Sequence, residues 1–313
     1  MELGTRLAII GGSRAYDLLG GEGLPEGPLA PVETPFGESS PMGRLRVGGH
    51  EVLFVSRHGL GGYRIGAPFV NYRANTYALK DAGAERIVAW SGPGCIDPAF
   101  EPGQYVIPDD LIDETRGRGA SFYEGTGLGL LRQSPVFCPE VASVLLEAAS
   151  GGARVGESRA LRLGIPMRKR SGQPVAHGGG TYVCTQGPRL ETPAEIRKYA
   201  LAGGQLVGMT LAPEVFLARE LEMCYAAICY VTNYAEGVRE AEHEAEKLFQ
   251  GLAGEEDAAK AEEAVRRLPG VIERAVRALA DVPRRCACGD AMKRYKLQGD
   301  IGEDWREWVK PPS

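Results

Sequence analysis

The sequence has no apolar run near the roughly 20 residues that span a bilayer, and its N-terminus, MELGTRLAII, lacks the basic region and cleavage site of a secretory signal. The expectation is a cytoplasmic protein with no membrane partner. Positive charge is also short: 36 Lys and Arg against 41 Asp and Glu leave a net charge of −5. That balance argues against a broad nucleic-acid surface and leaves a small molecule, or a second copy of the chain, as the partner. Cysteine is sparse, with seven residues, an odd count, of which only Cys286 and Cys288 are close together. Such usage fits reduced thiols better than a disulfide framework. No internal repeat is present. What remains is 313 residues with 43% hydrophobic and 25% charged content, ordinary for a globular protein, and 43 Gly with 21 Pro, which imply many tight turns.

A chain of this length is at or above the usual limit for one core, so a large α/β domain with a helical appendage is expected. Residues 1–280 read as that domain and 281–313 as a tail without an assigned structure. Apolar β-rich runs at Arg6 to Ile10, Glu51 to Ser56, Arg86 to Trp90, Tyr105 to Pro108, Thr181 to Thr185 and Cys224 to Thr232 read as strands. Helical spacing marks Val70 to Asp81, Pro139 to Ala149, Pro193 to Ala202 and Pro213 to Glu222. Thr192 before Pro193 reads as an N-cap, and Gly203 with Gly204 as the stop. The alternation predicts a central mixed, twisted β-sheet flanked by helices, with ligands at the carboxyl ends of the strands. Residues 162–180, basic and Gly-rich, read as a loop or distorted hairpin. After Asn233 a charged, Ala-rich stretch to about Leu279 suggests one or two exposed helices.

Three strand ends finish in small or anion-binding residues: IIGGS at Ile9 to Ser13, FVSRHG at Phe54 to Gly59 and AWSGPG at Ala89 to Gly94. Together they offer glycine amides, hydroxyls, a guanidinium and an imidazole, the inventory of a phosphate cradle. Each alone is commonly no more than a turn. The later half adds GPRLETPAEI at Gly187 to Ile196, GMTLAPEVFLARE at Gly208 to Glu220 and VTNYAEG at Val231 to Gly237. With ETPFG at Glu33 to Gly37, NYRANTYALKDAG at Asn71 to Gly83 and FCPE at Phe137 to Glu140, these segments resemble the trimeric purine nucleoside phosphorylase family, its methylthioadenosine phosphorylase branch most closely. The resemblance runs in order from about Leu7 to Gly237.

The resemblance implies phosphorolysis: inorganic phosphate attacks C1′ of a purine nucleoside, giving free base and a (deoxy)ribose 1-phosphate, with no cofactor and no metal. By the same resemblance Ser13, Arg57, His58, Ser91, Gly92 and Thr210 form the phosphate site. Glu191, Met209, Asn233, Ala235 and His243 contact the nucleoside, and Asn233, Glu191 and His58 carry the chemistry. Plainer readings stand beside these: Ser91 as a turn residue, His58 as a core histidine, Met209 as packing and Glu191 as a first-turn carboxylate at a helix N-terminus. The resemblance also implies a homotrimer, with a hexamer left open, in which a neighbour's Ser121 to Gly125 closes the pocket.

Base choice follows from Glu191 and Asn233. A carboxamide donates to a 6-oxo group while accepting the proton that arrives on N7, and a carboxylate accepts N1–H, a pattern adenine lacks. The pair points to inosine or guanosine. Methylthioadenosine and methylthioinosine stay open because His243, expected at a helix start, does not separate a 5′-hydroxyl from a 5′-methylthio group. Departures from the family pattern are Arg14, Tyr63, Pro93, Gln186 and Leu190, and they keep open a nucleoside-binding relative with weak turnover. In the tail, RRCACGDAMKRYK lacks a second ligand pair nearby in sequence, which argues against zinc. A Cys-x-Cys occurs in the tail of some methylthioadenosine phosphorylase relatives, so the resemblance leaves a disulfide open.

Overall fold

The structure is a computed structural model, and it describes residues 6–12, 27–151, 176–240, 242–247 and 251–309. In chain order the first strands are β1 (Leu7–Gly11), β2 (Glu33–Thr34), β3 (Gly37–Glu38), β4 (Met42–Val47) and β5 (His50–Ser56), followed by helix α1 (Tyr72–Asp81). Next come β6 (Arg86–Ser91), β7 (Gly94–Cys95), β8 (Tyr105–Ile107), β9 (Asp110–Glu114) and α2 (Pro139–Ala149). Then follow β10 (Ala176–Gly178), β11 (Thr181–Thr185), α3 (Pro193–Leu201), β12 (Leu206–Gly208) and α4 (Leu211–Glu220). The chain ends with β13 (Cys224–Tyr230), β14 (Asn233–Tyr234), α5 (Glu255–Leu279), α6 (Lys293–Gln298) and α7 (Trp305–Trp308).

A seven-stranded sheet in the order β10-β8-β13-β6-β1-β5-β4 forms the centre, and β14-β7-β12-β11-β9 form a second sheet. The central sheet is mixed, as the alternation predicts. β5, β1, β6 and β13 run parallel, while β8 and β4 run antiparallel to their neighbours β13 and β5. Every residue of β1, β6 and β13 is buried, which accounts for their unbroken apolar character in a sheet covered on both faces. The four parallel strands end together. Gly11 lies beside Ser56, and Ser91 beside Cys229, so the segments that follow converge on one edge of the sheet.

The N-cap of α3 is as predicted: Thr192 Oγ1 accepts from the Glu195 amide at 3.2 Å and the Glu195 carboxylate accepts from the Thr192 amide at 2.8 Å. Gly203, at φ 86°, follows its C-terminal end in a conformation that favours glycine. The helix α5 corrects two expectations. It begins at Glu255 rather than near His243, because Gly254 caps it and Glu255, Glu256 and Asp257 complement the first-turn dipole. Nor is it simply exposed, since Val265, Leu268, Val271, Ile272, Val276 and Leu279 form a buried stripe in the core that also holds α2 and β13. Of the basic, Gly-rich loop, Ala176–Gly178 is a strand on the sheet edge beside β8, and residues 162–175 lie outside the described residues.

The tail packs onto the domain: Met292, Tyr295, Trp308 and Val309 are buried in the core cluster that includes α1 and α4. It also brings Cys286 and Cys288 against Cys138 and Cys224, so the expectation that no second pair lies nearby is corrected. The partners are distant in sequence and meet only because the N-terminus of α2 abuts β13, where the Cys138 amide donates to Tyr225 O at 2.8 Å.

Candidate active site

Arg57 follows β5 and is completely buried. Its Nε donates to Glu214 Oε1 at 2.5 Å and its Nη2 to Glu214 Oε2 at 2.9 Å, a bidentate pair. Glu214, in the first turn of α4, also accepts from Tyr225 Oη at 2.6 Å. Burial opposes the guanidinium charge, and the Glu214 carboxylate outweighs that opposition and raises the Arg57 pKa. Arg57 is left with Nη1 directed along the sheet edge, 3.4 Å from Trp90 O. Gly12, after β1, lets these groups meet: a Cβ there would stand 2.7 Å from Trp90 O and 3.2 Å from Arg57 Nη1.

His58, next to Arg57, is buried, with Nδ1 2.8 Å from Ile65 O and its ring centroid 4.3 Å from that of Tyr63. Desolvation, followed by the Arg57 charge, pushes its pKa down to about 4. The ring is therefore neutral near pH 7. Since a carbonyl only accepts, Nδ1 carries the proton and Nε2 presents a lone pair.

At the end of β6, Ser91 Oγ lies 3.0 Å from Tyr182 Oη and 3.4 Å from Thr210 Oγ1. Ser91 and Thr210 are buried, at 6% and 7% exposure, so the structure brings these two predicted residues into one hydroxyl cluster. Tyr182 was not foreseen. Its hydroxyl reaches Ser91 across Gly208, where a Cβ would sit 2.0 Å from it, and burial raises its pKa well above the usual phenol value. Gly92 is equally confined, with Thr232 Cγ2 and Tyr230 Cζ both 2.9 Å from an added Cβ. Ser13 and Arg14 lie outside the described residues.

Asn233, in β14, pairs with Gly94 across the second sheet and is 6% exposed. Its Oδ1 accepts from Thr232 Oγ1 at 2.6 Å and its Nδ2 donates to Tyr234 O at 2.7 Å. One N–H and one lone pair of the amide remain available, and the two bonds fix which way it faces. Ala235 is buried beside it, its amide donating to Cys95 O at 2.8 Å. Pro93 O accepts from the Thr232 amide at 3.0 Å, which ties the turn after β6 to the segment bearing Asn233.

Glu191 lines a cleft of about 350 Å³ together with Thr185, Gln186, Gly187, Glu114 and Lys198 but not Arg57 or Asn233. Its carboxylate accepts a short hydrogen bond from Thr185 Oγ1. Desolvation raises the Glu191 pKa, and the Thr185 hydroxyl pulls it back. Met209 is half-buried against Gly187, where a Cβ would meet Met209 Sδ at 2.5 Å.

Arg118 was not singled out in the sequence, yet it spans this region. Its Nη1 donates to Met209 O at 2.7 Å, Ala212 O at 2.8 Å and Tyr72 Oη at 3.2 Å, and its Nη2 to Gln186 O at 2.8 Å and Thr185 O at 3.1 Å. Two expected contributors lie elsewhere. His243 is exposed and in no helix. Phe122 and Tyr123, from the segment expected to reach a neighbouring subunit, are buried in their own chain, where Ser121 Oγ and the Phe122 amide both donate to the Glu220 carboxylate at 2.7 Å. Glu124 and Gly125 remain exposed there.

Residues 6–277 match the phosphorylase superfamily. The chain is 40% identical over 307 residues to a probable 6-oxopurine nucleoside phosphorylase of Korarchaeum cryptofilum, covering 93% of this chain and 99% of that one. It is 40% identical over 295 residues to the 6-oxopurine nucleoside phosphorylase of Pyrococcus furiosus, covering 92% and 98%. Among solved structures it is similar to a methylthioadenosine phosphorylase from an antarctic soil metagenomic library, with a TM-score of 0.77, 28% identity and coverage of 94% and 92%.

Proposed function

The chain belongs to the phosphorylase superfamily, and from that premise we propose that it is a pentosyltransferase cleaving 6-oxopurine nucleosides with inorganic phosphate. The observation that carries this reading is the buried hydroxyl pair of Ser91 and Thr210, 3.4 Å apart, with buried Arg57 reaching the adjoining Trp90 O at 3.4 Å, in a chain whose relatives at 40% identity are a 6-oxopurine nucleoside phosphorylase and a probable one by name. No cofactor is required, because phosphate is a co-substrate.

Arg57 Nη1 and the hydroxyls of Ser91 and Thr210 hold the phosphate, with the Gly92 backbone beside them. Glu214 already compensates the Arg57 charge, so the site offers directed donors more than net charge. His58, with a bare Nε2, accepts from a P–OH group, which suits a protonated phosphate. A phosphate oxygen attacks C1′ as the C1′–N9 bond breaks, and the bonding electrons pass into the purine. Donors that strengthen as this charge develops lower the barrier. Asn233 donates to the 6-oxo group with its remaining N–H and accepts from N7–H with its remaining lone pair. Glu191, ionised, accepts N1–H, while Met209 and Ala235 flank the sugar and base. A homotrimer is the assembly this reading carries.

The test is base release from inosine, guanosine, methylthioinosine and methylthioadenosine, each with and without phosphate. Phosphate-dependent release from the 6-oxopurines is expected. Release without phosphate means a hydrolase, and a preference for methylthioadenosine overturns the base assignment. A 5′-methylthio preference within the 6-oxopurines would assign the sugar end of the site, for which exposed His243 supplies no contact.

The Glu191 reading has a pH consequence. Its pKa is raised by burial, and activity needs the carboxylate, so the acid limb of kcat/KM lies above that of an ordinary glutamate. Thr185→Ala removes the hydrogen bond that favours ionisation, so Glu191 protonates at still higher pH and the limb moves further to the alkaline side. A pH profile with inosine reads this. An unmoved limb counts against Glu191 as the N1–H acceptor.

A further inference from the structure

We propose that Cys138, Cys224, Cys286 and Cys288 form a structural tetrathiolate site for a divalent transition metal, zinc by its chemistry, that fastens the C-terminal tail to the domain. The four Sγ atoms all lie within 4.8 Å of one another, with Cys224 and Cys286 at 3.3 Å. Four thiolates around zinc, at Zn–S of about 2.3 Å, form a tetrahedron with edges of about 3.8 Å. The sulfurs thus meet as one group of four, at separations that a small inward or outward shift converts to that tetrahedron.

The frame suits such a role. Cys138 is the N-cap of α2, where the free amides of the first turn favour a thiolate. Its own amide bonds to Tyr225 O at 2.8 Å, which locks it beside Cys224 at the start of β13. These two buried cysteines are therefore a rigid half-site. The other half comes from the tail, with Cys286 and Cys288 half-buried around the start of a short 3-10 turn at Ala287–Asp290. Hydrogen bonds hold the tail on the approach to the cluster. Arg86 Nη2 donates to Val282 O at 2.7 Å, Arg284 Nη1 to Glu222 O at 2.8 Å, and the Arg285 amide to Glu140 Oε2 at 2.9 Å. Arg86, opposite Cys224 in the sheet, pairs with Glu140 at 3.1 Å and Arg284 with Glu85 at 3.5 Å, so the tail's approach is pinned by ion pairs as well as by carbonyl bonds. The remaining cysteines, Cys95, Cys184 and Cys229, are buried outside this group.

All-sulfur donors select a soft or borderline ion over magnesium or calcium, and a closed set of four leaves no open position for substrate. Binding takes up the ion, and the thiol protons pass to solvent. The site is at the opposite end of β13 from Asn233, and seven residues of strand span roughly 20 Å. Its role is therefore structural.

The test uses the full-length protein purified without chelator. Metal analysis is expected to give one zinc per chain, and exchange with Co2+ to give the visible spectrum of a tetrahedral tetrathiolate. Denaturation in chelator without reductant should then expose all seven thiols. The variant C286S/C288S is expected to lose the zinc, to retain phosphate-dependent base release at 25 °C, and to melt at least about 5 °C lower. Three reactive thiols before reduction would mean two disulfides and overturn the proposal. Seven thiols with neither bound zinc nor a Co2+ spectrum would overturn it too, as would zinc that survives in the double variant.

Discussion

Replacing Glu214 with alanine lowers folding stability by about 3–5 kcal/mol, because it strands the Arg57 guanidinium without a partner in the interior. Arg57 is 0% and Glu214 1% exposed, so water does not replace the lost carboxylate. The Tyr225 hydroxyl, which donates to the same carboxylate, loses its acceptor as well. Measured against a usual total of about 5–15 kcal/mol, such a loss leaves little folded protein at elevated temperature. The double variant R57M/E214L removes both charges and should recover much of the stability while losing phosphate-dependent base release, since the guanidinium proposed to hold phosphate is gone. Urea denaturation of the two variants, with turnover assayed alongside, separates the roles. A midpoint for Glu214→Ala within error of the parent would show that the pair does not carry the buried charge.

Asn233→Asp reverses the base preference, moving the ratio of kcat/KM for adenosine over inosine by about 100-fold or more. The carboxylate has no N–H for the 6-oxo group, so an oxygen faces an oxygen, whereas the 6-amino group of adenine supplies the missing proton. Asn233 is well placed to show this, because Thr232 Oγ1 and Tyr234 O already fix its orientation. In the variant Tyr234 O faces an acceptor, which raises the pKa of the new carboxyl and makes the switch steeper as pH rises. Steady-state kinetics on both nucleosides at two pH values measure it. An unchanged preference would count against Asn233 as the group that reads position 6.

The strand ends were legible because glycine, serine and arginine after an apolar run leave few alternatives, and Arg57 does reach the end of β6 at Trp90 O, next to the Ser91 that meets Thr210. Glu214 was not, although its segment was noticed. In LAPEVFLARE a glutamate at the first turn reads as a solvated dipole partner. Only the burial of Arg57 demands a counter-charge, and burial is a tertiary property. Tyr182 escaped for a similar reason: its contact with Ser91 passes over Gly208, and nothing local marks that pairing. The strands β2, β3, β4, β7, β9, β10, β12 and β14 were missed because they are short or carry charge, and their pairing comes from neighbours rather than from their own pattern. The helix expected near His243 failed on composition: charge and alanine run on continuously there, but Gly251 and Gly254 delay the start to Glu255.

Arg118 gives the recognition side of the site a property that a list of contacts to substrate omits. One planar guanidinium holds the carbonyls of Thr185, Gln186, Met209 and Ala212, from two separate chain segments, together with the Tyr72 hydroxyl. A lysine, a point charge with three donors, does not reach that set. On the proposed reading the purine enters a mould set before it arrives, and the entropy of ordering those loops is settled during folding rather than at each encounter.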